Sequence, residues 1–444
     1  MRDGSIYAIL YAVAWMLLFL WLLKKYGIKS SSVFVTSFYV LFSISAIFLY
    51  HNEFYASSFK TITLFPYVYL FVMVLLSLQP IVSFDKSNVV GLVEPPPSLI
   101  AVFTYVFIFL AILSLPNSIG NVVSGITLLL QDSNAGAELY ADAHGGGIST
   151  KSIADVPRYL FSIFSYISIF VFFYYLVRPK LNKFVLFGLS IVMLYNLVRP
   201  ISLGLRTDTV MTLFAIMVGY ILMRRWIPLK RGKTLVLIGS IFCAVVVGFM
   251  LVLSASRFSQ NIAGMNGTNL YYIAQSTLNF NNYGLDAGGI RYGDRTCRIF
   301  KEFLGFENVP SGIVERRVKY RHMRMNDGVF YTFVGDFTLD FGPVIAFFIF
   351  VLYSILFSFL SNVRGGVISF SRLLIVYLEM LIPVQGGMYL FTFSDGGNYS
   401  LVAFTLTAIL FFKFDHTSSN QIIWASNEYL EYAFLRRFRV IGLK

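Results

Sequence analysis

The sequence predicts an all-α polytopic membrane protein with about eleven spans. Three observations carry that reading: too few charges for a water-soluble chain, apolar runs of membrane-crossing length, and basic clusters in alternate loops. Of 444 residues, 57% are hydrophobic and 13% charged, and the mean hydropathy is +0.72. A soluble domain carries roughly a quarter charged residues. The start Met1-Arg-Asp-Gly-Ser5 lacks a basic n-region, and the first apolar stretch runs into Lys24-Lys25 without a small-residue cleavage site. A retained helix is expected there rather than a signal peptide. With two cysteines, Cys243 in an apolar run and Cys297 in a polar loop, neither a disulfide framework nor a cysteine-built zinc site has enough ligands.

A hydrocarbon core of roughly 30 Å takes about 20 apolar residues per helix. Runs of that kind lie near 6–23, 33–50, 62–83, 98–115, 159–177, 183–198, 207–223, 234–253, 341–360, 370–390 and 398–414. Lys24, Lys25 and Lys29 follow the first run, Arg178, Lys180 and Lys183 the fifth, and Arg224, Arg225, Lys230, Arg231 and Lys233 the seventh. Short loops that retain Lys and Arg are cytoplasmic. The basic Arg436-Arg437-Phe438-Arg439 falls on the same side, so the C-terminus is expected inside and the N-terminus outside. The stretch Ser118–Leu130 is moderately apolar and reads as an interfacial or re-entrant segment. The chain thus divides into a membrane bundle over 1–253 with about eight spans and a Gly-rich outer loop at 116–158, a large extracytoplasmic loop over 254–330, C-terminal spans over 331–414, and a cytoplasmic tail over 415–444. No internal repeat is visible.

The second long loop breaks the positive-inside pattern. It holds Arg257, Arg291, Arg295, Arg298, Lys301, Arg316, Arg317, Lys319, Arg321 and Arg324 on the side where basic residues are scarce. Either this is a solvated basic surface, since long loops translocate regardless of charge, or it serves an anionic ligand. The preference for Arg over Lys favours phosphate, which matches the planar guanidinium fork. Arg199 and Arg206 occupy the turn Leu197–Asp208 between apolar runs, where Arg either snorkels to headgroups or clamps a lipid-linked phosphate. Arg257, in Ser254-Ala-Ser-Arg-Phe258, leaves the eighth run on the same side. Thr207 or Asp208 is expected to cap the seventh span.

A third feature, Tyr320–Gly342, leads from the loop into the ninth run and gathers His322, Asp327, Asp336 and Asp340. On a helix, Asp336 and Asp340 share one face. One of them suits a general base, with the other orienting it or an arginine; equally, either pairs with a loop arginine. His322 is a base candidate or a surface histidine. Glu379, in the middle of the tenth run, reads as the partner of an arginine or of a helix hydrogen bond. Asp395, in Phe393-Ser-Asp-Gly-Gly397, returns to the outer face and could line the same cavity.

On Ser202-Leu-Gly-Leu-Arg-Thr-Asp-Thr-Val210 and Tyr331-Thr-Phe-Val-Gly-Asp-Phe-Thr-Leu-Asp-Phe-Gly342, the chain resembles the bacterial O-antigen polymerases, which join oligosaccharide repeat units. It departs from the commoner pattern in lacking a second Gly after Asp340-Phe-Gly-Pro343. The resemblance implies a GT-C-like membrane glycosyltransferase of the bacterial inner membrane, with its active site on the periplasmic side. It would build surface polysaccharide (lipopolysaccharide or capsule) from undecaprenyl-pyrophosphate-linked oligosaccharides. Under it, Asp336, His322 and Asp340 become the catalytic candidates, and Arg199, Arg206, Arg257 and Arg291 the pyrophosphate-binding ones. No cofactor or metal is expected, since no Asp-x-Asp or His/Asp cluster stands out. The expected partners are the lipid-linked oligosaccharides, the bilayer and a candidate chain-length regulator, with no nucleic acid. An O-antigen ligase shares the donor chemistry, while a lipid-linked oligosaccharide flippase would need polar groups through the bundle interior, where Glu379 stands nearly alone.

Overall fold

Inside a bilayer, backbone polar groups can bond only to one another, so the apolar runs close into helices. The computed structural model describes residues 2–131, 156–202, 206–258, 264–326, 329–388, 393–414 and 422–425. Asp327, the Gly145–Gly147 run and the basic Arg436–Arg439 tail lie outside the described residues.

The helices are α1 (Ser5–Tyr26), α2 (Ser31–Tyr50) and α3 (Leu64–Lys86), then, after strand β1 (Gly91–Val93), α4 (Pro97–Gln131), α5 (Val156–Val177), α6 (Lys183–Ser202), α7 (Arg206–Met223) and α8 (Leu229–Phe258). There follow α9 (Gly264–Tyr283), the short α10 (Arg298–Phe303) and α11 (Ile313–Lys319), α12 (Thr332–Ser361), strand β2 (Val367–Ile368), α13 (Phe370–Gly386), α14 (Asn398–Phe414) and strand β3 (Ile422–Trp424). About 76% of the described residues are helical, and nine helices among them are long and apolar enough to cross a membrane. The chain is an all-α multi-pass membrane protein. The expected runs at 207–223 and 370–390 are also helical but shorter, with an apolar stretch Thr207–Met223 and the 17-residue α13. Ser118–Leu130, read as interfacial or re-entrant, continues α4 as helix through Pro116.

Contacts divide the chain into two units. The first comprises Met1–Lys86, Asn261–Asn362 and Leu378–Val402. Its core is aromatic: Trp15, fully buried, stacks on Tyr39 with centroids 4.6 Å apart and meets Phe71 edge-on at 4.8 Å. Asp85, near the end of α3, accepts Ser31 N–H at 3.1 Å and Ser32 N–H at 2.7 Å, which satisfies and charge-complements the N-terminus of α2. Helix α12 packs along α3, and α9 packs on α2 and α3. Hydropathy gives no hint of α9, because its buried face is polar. Asn281 exchanges hydrogen bonds with the backbone of Thr63 at 2.8 and 3.1 Å, Ser276 donates to Gly387 O, and Asn279 donates to Phe330 O. These three side chains find backbone partners, so their burial carries little desolvation cost.

The second unit comprises Ser87–Gln260, Val363–Tyr377 and Ala403–Lys444. Here α4 packs on α5 and α6. The strands form a small sheet in the order β2-β1-β3, parallel on one side of β1 and antiparallel on the other. The loop arginines act as caps: Arg231 donates to the carbonyls of Leu176, Arg178 and Pro179 at the C-terminus of α5, and Arg225 donates to Val89 O at 3.0 Å.

Candidate functional site

The first unit gathers the acidic helix and the arginine-rich loop. Helix α12 is two segments in one, broken at Gly342, whose φ of 78° and ψ of 161° belong to a region that only glycine visits readily. Pro343 follows and has no N–H for Leu339 O, so the loop supplies one: Arg291 N–H donates to that carbonyl at 2.8 Å. Pro343 O is taken by the Tyr69 hydroxyl at 2.6 Å. The result is a ten-residue segment, Thr332–Phe341, whose end is sealed by the loop.

Asp336 and Asp340 lie on this segment and both are fully buried. Asp340 Oδ1 accepts from Arg291 Nε at 2.7 Å. Its Oδ2 accepts from Thr296 N–H at 2.7 Å, the Thr296 hydroxyl at 2.7 Å and Arg295 N–H at 3.2 Å. This carboxylate therefore organises the 291–296 turn, the second of the two roles open to it in the sequence. Asp336 Oδ1 stands 3.3 Å from a terminal nitrogen of Arg291 and 2.8 Å from Arg295 Nε. Arg291, at 1% exposure, also donates to Asp336 O at 3.2 Å. Consecutive left-handed residues, Tyr292 and Gly293, turn the chain so that Arg291 and Arg295 face the same helix.

The network continues through Asp395. Arg316, also fully buried, donates to Asp395 Oδ1 at 2.5 Å, and Arg295 lies 4.0 Å from Asp395 Oδ2. Asn398 ties the same loop down by donating to Thr296 O at 2.9 Å and Phe393 O at 2.7 Å. Asp294 faces the other way, to Lys301, to Lys319 at 2.6 Å and to the Tyr320 hydroxyl at 2.6 Å. Burial raises its pKa, but the hydrogen bonds from Lys301, Lys319 and Tyr320 outweigh burial and hold the carboxyl below the usual range. Burial pushes the Cys297 thiol up, which makes it a poor nucleophile.

Beside the network is a cleft of about 110 Å³ lined by Arg291, Arg316, Arg317 and Arg321, with Tyr320, Asn326 and two methionines. Four arginines thus line a space with room for a phosphate group or a few waters, and among the described residues no carboxylate lines it. Among the described residues Arg317 reaches only the neutral Asn326, at 3.3 Å. Arg321 is exposed and has no carboxylate partner among the described residues. His322, next in sequence, is exposed and meets Tyr320 edge-on at 6.2 Å.

Of the residues singled out from sequence, Arg291, Asp336 and Asp340 come together, with His322 in the segment that lines the cleft. Arg199, Arg206 and Arg257 belong to the second unit: Arg199 stands in the last turn of α6, Arg206 opens α7, and Arg257 is the penultimate residue of α8. Asp208 lies inside the first turn of α7 and not at its cap, where a carboxylate still complements the helix dipole. Glu379 meets Ser361 and no arginine. Asp294, Arg295 and Arg316 complete the network without having been named as site residues, and Asp395, read from sequence as a residue that could line the same cavity, joins it through Arg316 and Arg295. The signal was present in part, since Arg291 and Arg295 repeat the four-residue spacing of Asp336 and Asp340. Among the described residues no group of three or more His, Cys, Asp or Glu could hold a metal ion.

Fold and site together define a helical multi-pass membrane protein that carries a charge-paired, arginine-lined cleft on a broken helix and its preceding loop. No family model, curated protein or solved structure matches the chain.

Proposed function

We propose that the chain is a membrane glycosyltransferase that polymerises undecaprenyl-pyrophosphate-linked oligosaccharide units on the periplasmic face of the bacterial inner membrane. The carrying observation is the cleft, lined by four arginines and, among the described residues, by no carboxylate. Preorganised guanidiniums stabilise the negative charge that develops on a departing diphosphate, and in a site shielded from water they do so strongly. The buried Asp336 and Asp340 fix Arg291 and the partly buried Asp395 fixes Arg316, while Arg317 and Arg321 supply the charge that the aspartates do not neutralise. The reading keeps eleven crossings, with the N-terminus and the 254–330 loop outside.

In the reaction, an acceptor hydroxyl attacks the anomeric carbon at the reducing end of the donor chain. The bond from that carbon to the diphosphate oxygen breaks, and the lipid diphosphate leaves. Asp340 keeps Arg291 in place while the donor phosphates draw Arg295 from Asp336, which frees that carboxylate of its shortest contact to take the acceptor's proton. Asp340 keeps the turn in place. Arg199, Arg206 and Arg257 enter through the sequence resemblance, as further diphosphate ligands. His322 is the alternative base.

The test is reconstitution of the purified protein in vesicles with a synthetic lipid-diphosphate oligosaccharide, read as a product ladder. Arg321→Lys keeps the charge but loses the bidentate fork, and a charge-assisted contact is worth about 1.5–3 kcal/mol, so turnover falls roughly tenfold to a hundredfold. Asp336→Asn abolishes the ladder while leaving donor binding intact. A ladder at the parent rate from Asp336→Asn, with none from His322→Ala, moves the base to His322. Transfer to a lipid A core in place of a ladder identifies a ligase, and no transfer of any kind by the parent protein overturns the reading.

A further inference from the structure

Glu379 stands apart from the arginine network. It sits on α13, is fully buried and has one hydrogen-bond partner, the Ser361 hydroxyl, 2.5 Å from Oε2. Its other oxygen, Oε1, is buried without a partner among the described residues. No lysine, arginine or histidine there pairs with it. Tyr353 of α12 lies within electrostatic reach of it.

Helix α12 holds two more buried oxygens without hydrogen-bond partners among the described residues, Tyr353 OH and Ser358 Oγ. Ser361 Oγ itself lies between two acceptors, Phe357 O at 2.8 Å and Glu379 Oε2, yet a hydroxyl owns one hydrogen. When that hydrogen goes to Phe357 O, the short contact to Glu379 needs a proton from the carboxyl. An ionised carboxylate here would have neither a countercharge nor the two or three donors that normally support one. The effective cost of stripping such an ion of water is several kcal/mol. A metal cation is no remedy, because a hard cation takes about six oxygens and among the described residues no group of three or more His, Cys, Asp or Glu could hold one.

We propose that Glu379 is a proton-binding site within the membrane, a carboxyl that carries its proton at neutral pH and joins α13 to the C-terminal end of α12 through Ser361. Its ligand is the proton. The site lies at the opposite end of the helix that bears Asp336 and Asp340, so proton occupancy secures the far end of the element on which the arginine network is built.

A hydrophobic carbodiimide tests this on the full chain in lipid vesicles. The O–H of a protonated carboxyl adds across one N=C bond to give an O-acylisourea, which rearranges to a stable N-acylurea. The adduct has the mass of the whole reagent and nothing leaves. We expect labelling of Glu379 at neutral pH, located by peptide mass spectrometry, and complete loss of that label in Glu379→Gln. Glu379→Gln, which mimics the neutral acid, is expected to keep the thermal midpoint of the parent. Failure of Glu379 to label in the folded protein, when the same residue labels after unfolding at acid pH, overturns the proposal. So does a Glu379→Gln variant whose midpoint falls as far as that of Glu379→Ala, because the charge would then be what the fold requires. Neither readout involves glycosyl transfer, so the result stands independently of the proposed activity.

Discussion

Replacing Asp340 with Ala removes the acceptor of four hydrogen bonds at once, and the structure sets the size of the effect. One bond is to a buried guanidinium and three are to neutral donors of the 295–296 turn. Breaking a buried pair by deleting one partner costs roughly 3–5 kcal/mol, because the remaining charge stays buried. Each orphaned donor adds about 1–3 kcal/mol when no water reaches it. These terms overlap, since the deleted side chain leaves space that a water can fill and Arg291 keeps Asp336 at 3.3 Å. The expected loss is about 3–5 kcal/mol, a large part of the roughly 5–15 kcal/mol that holds a typical fold. Asp340→Asn recovers part of this, since one amide oxygen can still accept while the amide N–H₂ faces donors. The assay is thermal unfolding in detergent, read by size-exclusion chromatography of the protein that stays monodisperse. Asp286→Ala is the control: its partner Arg324 is 3.3 Å away, and both side chains are more than half exposed. Such surface pairs contribute about 0–1 kcal/mol. If Asp340→Ala unfolds at the same temperature as Asp286→Ala, the idea that Asp340 organises the turn is refuted.

Gly342→Ala places a Cβ where the nearest atom is Ile290 Cγ2 at 3.7 Å, so space is no obstacle and the backbone alone resists. A loss of about 1–3 kcal/mol is expected from the same unfolding assay, and an unchanged midpoint would show that the segment straightens without cost. For Asp294 the folded pKa lies below the unfolded one, so its contribution is present above the unfolded value near 3.9 and is lost as pH falls through the lower folded value. Midpoints measured against pH should therefore fall on the acid side for the parent. Asp294→Asn should be less stable at pH 7 and flatter below about pH 4, and parallel curves for the two would contradict this. A cysteine placed at the exposed Ser311 is expected to react with an impermeant thiol reagent on intact cells; reaction only after permeabilisation would invert the proposed topology.

The spans were legible because hydropathy reports directly on what lipid requires. The first segment of α12 was less so: the apolar run begins near 341, while the helix begins at Thr332, since two buried aspartates depress hydropathy over residues whose charges are paired inside the fold. Helix α9 escaped for the related reason that Ser276, Asn279 and Asn281 bond to backbone. The four-residue spacing of Asp336 and Asp340 was readable, and pairing with a loop arginine was one of its two readings. Which arginine was not readable, because the partner positions are set by the Tyr292–Gly293 turn and by the break at Gly342. Neither leaves a periodic trace.

The break at Gly342 also bears on how the chain is assembled. Arg291 precedes Asp336 by 45 residues and Asp340 by 49, so during synthesis the arginine turn emerges well before its acidic partners. Until then its guanidiniums are solvated, and no membrane depth is accessible to them. The Thr332–Phe341 segment in turn cannot end cleanly without the Arg291 N–H that closes Leu339 O. Neither piece is a finished unit when it leaves the ribosome, and the last turn of one and the first charge of the other are completed in the same event. Loop and helix therefore enter the native state together, and an insertion that lengthened the tether between them would delay folding more than it would destabilise the finished protein.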